Sequence, residues 1–246
     1  MMWQKLFLEV GGENIIYREI CRKNLFINLF DRSKKTIVFS NKLQDIKVSL
    51  KNKRICILAH GEDIYITYMD LPKMKKEGLN EVVRNELKSR FKNMDNIMFS
   101  YEIIKHSKQS LGLIVYCMNW SNMNLAKVCS DKGGSIRGIM PIQFYIWSNY
   151  KNKLGKENYI FTLVKENTLY LMACEGDKVV FNNVFKNISI KEEFLGILEQ
   201  FKFKLNILIP KVMFSTIVFV DFLYKDVIED LCKSYVCKDL GNFIIE

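Results

Sequence analysis

The chain has 246 residues, a net charge of +10, 49% hydrophobic and 26% charged residues. That is enough chain for one large domain or two small ones, in the composition of an ordinary globular protein. The basic residues are scattered rather than gathered into a run with interleaved aromatics, so no nucleic-acid partner is expected, and any attraction to an anionic membrane surface would be general and weak.

Seven cysteines form an odd set without a CxxC pair. They read as buried thiols in a reducing cytoplasm. The two histidines, His60 and His106, have no cysteine or carboxylate at metal-ligand spacing in the sequence, so no metal site is expected. The most apolar windows, such as residues 215–223, have strand length and fall well short of the roughly 20 residues a membrane helix needs. The opening residues meet Glu9 too soon to act as a targeting signal. The expected location is the cytoplasm.

In chain order, residues 5–10 read as a strand, Gly11-Gly12-Glu13-Asn14 as a turn, and residues 15–20 as the returning strand. Residues 25–30 read as a third, followed by short strands at 36–40 and 46–50. An apolar strand at 55–59 comes next, and Gly61-Glu62-Asp63 turns the chain. The alternation of Ile64, Ile66 and Tyr68 predicts a strand that Pro72 closes. A helix is predicted over 75–91, with Leu79, Val82, Val83 and Leu87 on one face. At about 100° per residue, Glu86 and Arg90 fall on that face too. Four residues apart, they predict a partly buried ion pair or, alternatively, charges that select a partner in a groove. A strand at 97–104 ends the unit.

Residues 111–118 are continuously apolar, as in a strand buried on both sides. Trp120-Ser121-Asn122 offers a cap for a helix whose apolar side holds Leu125, Val128 and Cys129, and Gly133-Gly134 stops it. A short strand at 136–140 leads to Pro141 and a helix with Phe144, Tyr145, Ile146 and Trp147 inward. The polar stretch 151–158 reads as a boundary. The opening pattern then repeats, with strands at 159–164, 168–174 and 178–185. A helix at 191–205 follows, with Phe194, Leu195, Leu198, Phe201 and Leu205 as its apolar stripe. A strand at 216–221, a helix at 225–235 and a strand at 243–245 finish the chain. Two meanders, each followed by helix and strand, predict a duplicated α/β fold. The predicted division is 1–60 for the N-terminal part of a first subdomain, 61–150 for an inserted α/β subdomain and the return to the first, and 151–246 for the second.

Residues 54–105 carry a family resemblance. A strand, turn and strand lead to Asp70-Leu71-Pro72-Lys73-Met74. A charged linker and a helix with Val82-Val83-Arg84-Asn85-Glu86 follow, then a strand with Phe99-Ser100-Tyr101-Glu102-Ile103-Ile104. In that order and spacing the stretch resembles the PilM family, actin-like cytoplasmic proteins of type IV pilus assembly. More distantly it resembles the GspL cytoplasmic domain of type II secretion. The resemblance implies an actin-like (RNase H-like) duplicated fold, here reduced. It implies binding of the cytoplasmic N-terminal peptide of a PilN-type inner-membrane protein and contact with the assembly ATPase, with self-association left open. It implies a peptide groove along the strand at 64–69, the Leu71-Pro72 corner and the helix face of Val82, Val83, Glu86 and Arg90, where Glu86 would pair with a basic peptide residue. The helix at 191–205 follows the second meander without the extra subdomain usual in PilM-like proteins. In this the chain is closer to the GspL domain, after which membrane-spanning sequence follows.

An actin-like nucleotide site needs two glycine-containing hairpins that turn backbone N–H groups toward phosphates, with a carboxylate that positions Mg²⁺ and water. The family pattern is Asp-x-Gly in each hairpin and a Gly-Gly turn for the base. In the first hairpin Glu9 stands in for the aspartate and Gly11 keeps the glycine. Gly11 and Gly12 also fit an ordinary hairpin turn, and Glu13 adds negative charge where phosphate would sit. The second hairpin, residues 161–167, has neither Asp nor Gly, and no glycine follows Val220 in Asp221-Phe222-Leu223-Tyr224. A degenerate site without a cofactor is therefore expected, and a non-catalytic scaffold is the leading function. An ATPase of the same fold using ATP and Mg²⁺, or a GspL-like role in secretion, is the alternative.

Overall fold

The computed structural model describes residues 4–11, 14–20, 37–40 and 49–245. β1 (Gln4–Gly11) returns as β2 (Asn14–Ile20), and β3 (Ile37–Ser40) pairs antiparallel beyond it. β4 (Lys53–Ala59) lies parallel to β1 on its other side. The chain then leaves this sheet for an insert of β5 (Ile64–Pro72), α1 (Lys76–Arg90), β6 (Ile97–His106) and β7 (Ser110–Asn119). α2 (Met123–Asp131) brings it back to β8 (Ser135–Pro141), parallel to β4, and α3 (Ile142–Leu154) leads to the second half.

That half repeats the plan. β9 (Asn158–Lys165), β10 (Thr168–Glu175) and β11 (Lys178–Lys186) form the meander. α4 (Ile190–Leu208), β12 (Thr216–Val220), α5 (Lys225–Leu231) and β13 (Val236–Asp239) follow, with β12 and β13 parallel to β9. The two sheets run β3-β2-β1-β4-β8 and β11-β10-β9-β12-β13. The expected duplicated α/β architecture is thus present.

The continuous apolar run of β7 has a physical reason. Side chains on a strand alternate between faces. Leu111, Leu113, Val115 and Cys117 meet Leu79, Val83 and Leu87 of α1, while Ile114, Tyr116 and Met118 join the main core. The insert sheet β5-β7-β6 is therefore sandwiched between its own helix and the body. The main core spans both halves. Two buried hydrogen bonds cross between the halves: Trp147 Nε1 donates to Tyr159 Oη at 2.9 Å, and the Gly61 N–H donates to Tyr170 Oη at 2.9 Å. Burial pushes the thiols of Cys117 and Cys129 up to about 11 and that of Cys174 further up, so these are protonated, inert core groups.

Several expectations need correction. Glu86 and Arg90 do not pair among the described residues. Both are exposed, and Arg90 Nη1 instead donates to Thr67 Oγ1 at 2.7 Å. The apolar face of α1 is as predicted, with Leu79, Val83 and Leu87 fully buried and Val82 half-buried against the same cluster at its edge. On α4, Leu195 is 48% exposed and Ile197 is buried in its place. α5 stops at Leu231, and the last strand is β13 rather than 243–245. Phe243 instead stacks against the rings of Tyr145 and Tyr150. Asn122 precedes α2 without a side-chain capping bond. The predicted strand at 25–30 and most of 46–50 lie outside the described residues, and Ser49 and Leu50 are in no strand. No helix among the described residues is long and apolar enough to cross a membrane.

Candidate functional site

The duplication fixes which residues correspond at the cleft between the halves. In the first half Val10 lies opposite Ala59, and in the second Leu163 lies opposite Val220. Glu9, Gly11 and His60 therefore correspond to Thr162, Val164 and Asp221. In the first set the ionisable pair, Glu9 and His60, is tightly gathered. Glu9 is 1% exposed and His60 is 8% exposed. One Glu9 oxygen, Oε1, accepts a hydrogen bond from Arg18 Nε on β2. The other, Oε2, lies 3.2 Å from His60 Nε2. From the second half, Glu166 in the β9–β10 turn brings Oε2 to 3.7 Å from His60 Nδ1.

Burial alone would raise the Glu9 carboxyl. His60 and Arg18 outweigh it and hold the group below the usual carboxylate range, so Glu9 is an anion. Even so, Glu9 Oε2 and both His60 ring nitrogens are buried without a hydrogen bond of ordinary geometry. Gly11 is required by this packing. A Cβ there would sit 2.8 Å from the Cβ of His60 and 3.7 Å from Glu166 Oε2. Gly12 and Glu13 lie outside the described residues.

Sequence spacing hid this cluster. The expectation that neither histidine meets carboxylates is corrected for His60, because the parallel register of β1 and β4 carries it to the end of the Glu9 strand. One ligand atom each from Glu9, His60 and Glu166 lie within 4.8 Å of one another, within the span of a single metal ion. A nucleotide phosphate at the hairpins would instead meet two carboxylates. The second hairpin has a tight turn with Glu166 and Asn167 both in the left-handed region, as a two-residue hairpin loop requires. Asp221 is occupied in the fold itself: its Oδ1 accepts from the Phe243 N–H at 2.7 Å. Beside it opens a cavity of about 480 Å³ lined by Lys165, Glu166, Asp221, Tyr224 and Phe243 among others.

A second cleft, of about 600 Å³, lies between the insert and the second half. Its walls are β5 and β11, the outer strands of their sheets. Tyr65, Tyr68, Phe91 and Phe181 line it, with the amides of Asn182 and Asn183. Both amide atoms of Asn182 and the Oδ1 of Asn183 are buried without hydrogen bonds. Asp63 ties the two walls by accepting from the Val184 N–H at 2.7 Å. The residues expected to form a peptide groove are spread differently. Leu71 and Val83 are core residues of the insert and offer no surface, Val82 is half-buried, and Pro72 and Glu86 are exposed. Arg90 reaches the cleft through Thr67, one of its lining residues. Tyr65 and Tyr68 lie on the strand at 64–69 that was expected to line the groove, whereas Asn182 and Asn183 were not singled out by the sequence.

No protein-family model and no curated protein matches the sequence. Solved structures do match. The PilM–PilN type IV pilus biogenesis complex superposes with a TM-score of 0.64, covering 96% of this chain and 88% of its own at 9% identity. A Bacteroides thetaiotaomicron protein with an actin-like ATPase fold and unknown function gives 0.51, covering 98% of this chain and 90% of its own at 10% identity. The cytoplasmic domain of EpsL, an inner-membrane component of the type II secretion system of Vibrio cholerae, gives 0.48 at 9% identity, over 88% of this chain and 81% of that one. At these identities the fold is what is shared. The first two matches establish it as actin-like, the fold that the resemblance to the PilM family implies.

Proposed function

We propose that this protein is a non-catalytic cytoplasmic scaffold of a type IV pilus machine. It binds the cytoplasmic N-terminal peptide of a PilN-type inner-membrane protein and links it to the assembly ATPase. The observation that carries this reading is the cleft between β5 and β11. Outer strands offer unpaired backbone groups to an extended peptide, and the unsatisfied amides of Asn182 and Asn183 offer more. The tyrosines of β5 supply anchors, and Asp63 in the cleft lining favours a basic residue in the peptide. The partner is taken from the name of the complex that shares the fold.

The make-up of the two hairpins supports the non-catalytic half of the proposal. Thr162 and Val164 stand where the family pattern has an acidic, glycine-containing second hairpin, and His60 gathers with two carboxylates at the first. Fluorescence anisotropy with a labelled cytoplasmic tail of a PilN-type protein from the same genome tests the peptide site. Tyr65→Ala should weaken binding by about 2 kcal/mol at an unchanged melting temperature. Full-strength binding by that variant would move the site elsewhere. Mg-ATP should leave the melting temperature unchanged. A stabilisation of about 2.7 kcal/mol at a hundredfold excess over Kd, abolished by Gly11→Val, would favour the ATPase alternative.

A further inference from the structure

We propose that Glu9, His60 and Glu166 form a site for one divalent transition-metal ion of the zinc class, and that the ion clasps the two halves together at the hairpins. The proposal does not rest on the peptide-binding reading. Its ligands would be Glu9 Oε2, one ring nitrogen of His60 and Glu166 Oε2.

Three observations converge on a ligand. The first is spacing. Around a tetrahedral zinc ion with bonds of about 2.0–2.1 Å, ligand atoms lie roughly 3.4 Å apart. Here Glu9 Oε2 lies 3.2 Å from His60 Nε2 and Glu166 Oε2 lies 3.7 Å from the other ring nitrogen, Nδ1; with a single ring nitrogen, one ligand atom from each side chain lies within 4.8 Å of the others, a span that small side-chain adjustments close around one ion. The second is saturation. Among the described residues Glu9 Oε2 and both His60 nitrogens are buried without a hydrogen bond of ordinary geometry, an arrangement native proteins avoid unless something else satisfies those atoms. The third is preorganisation. Arg18 holds Oε1 of Glu9, which orients Oε2 toward the ring, as outer partners commonly orient a metal-binding carboxylate. Gly11 leaves the ring the room it occupies.

The donor set selects the ion. An imidazole with two carboxylates suits zinc and its first-row neighbours, whereas Mg²⁺ and Ca²⁺ prefer six or more oxygens. Glu166 is 47% exposed, so one side of the site opens to solvent, which provides an entry path and a water as fourth ligand. Glu9 and His60 belong to the first half and Glu166 to the second. Metal bound here would therefore restrain the angle between the halves.

The test uses the full chain, stripped with a chelator and titrated with Co²⁺, whose visible spectrum distinguishes nitrogen and oxygen ligands from thiolates. The expected result is one equivalent bound, d–d bands without sulfur-to-cobalt charge transfer, and a melting temperature raised by several degrees at saturation with Co²⁺ or Zn²⁺. Glu166→Gln alters a half-exposed turn residue and should fold normally. It should weaken binding at least tenfold and remove the thermal shift. His60→Ala should abolish binding, and if it fails to fold, Glu166→Gln decides. Absence of stoichiometric binding overturns the proposal and leaves His60 as a plain contact between two carboxylates. Thiolate bands, which would point to Cys232 and Cys237, overturn it equally, as does a Glu166→Gln variant that binds like the parent.

Discussion

The two halves share a backbone plan and differ in what they bring to the cleft. The first half offers Glu9, Gly11 and His60. The second offers Thr162, Val164 and Asp221, of which the last is committed to the Phe243 backbone. The second-half residues Ile160, Phe161, Thr162 and Leu163 are fully buried, and Thr162 Oγ1 has no hydrogen bond. Duplication therefore survives in strand order and register, while the side chains at equivalent points have parted. The first hairpin keeps a charged cluster, and the second has become part of a packed core with a single carboxylate, Glu166, at its tip.

The sharpest way to break this contrast is to remove the charge. Glu9→Leu strands Arg18 and His60 beside an apolar side chain and should cost about 3–5 kcal/mol in denaturant unfolding. Thr162→Leu in the second half should cost far less. Equal losses would mean that the charges contribute nothing special. Next in size, Gly11→Ala drives a methyl group into His60 and should cost about 1–3 kcal/mol. The counterpart Val164→Ala, at a half-buried position, should cost about 1 kcal/mol or less.

A smaller effect separates the joint between insert and second half from both hairpins. Burial raises the Asp63 carboxyl, and the Val184 N–H with Lys186 and Lys204 only partly offsets it. A raised folded-state value makes the contribution of Asp63 fully present below the ordinary aspartate range and lost as pH rises through the raised value. Asp63→Asn should therefore gain on the parent at neutral pH and lose that advantage on acidification, read as melting temperature against pH. A pH-independent difference would contradict the assignment. Smallest of all, Thr162→Val should be neutral or stabilising by up to about 1 kcal/mol, because it removes a buried hydroxyl that bonds to nothing. Clear destabilisation would mean that Thr162 has an unseen partner.

Local patterns made most of the fold legible. Alternating strands joined by Gly-, Asn- and Glu-containing turns announced the first hairpin and the whole second meander, and spacing of three and four residues announced α1 and α4. β13 was missed because Val236–Asp239 is short and at most half-buried, so it lacks the apolar signal that Phe243 and Ile245 carry for another reason. The Glu86–Arg90 pair failed because the buried stripe of α1 is one residue wide per turn, which leaves Glu86 beyond its edge. Of the charged cluster, Glu9 and Gly11 could be read from the hairpin. His60 and Glu166 could not, since a parallel crossover and the meeting of two halves bring them there. Long-range placement of that kind leaves no mark in the spacing of residues.

The insert has its own small core, and this bears on how the molecule opens. α1 touches the rest of the protein through the cluster around Leu79, Val83 and Leu87, whereas β9, β10 and β12 are enclosed by the main core. Elements held by few apolar contacts exchange their amide hydrogens through partial opening, at free energies below that of global unfolding. The α1 amides should then exchange as a group ahead of those in β9 and β10. The cleft wall formed by β5 is shared: Met69 and Leu71 belong to the insert core and Ile64 to the main core. An occupant bridging β5 and β11 would therefore slow exchange in the insert by fastening this shared strand to the second half.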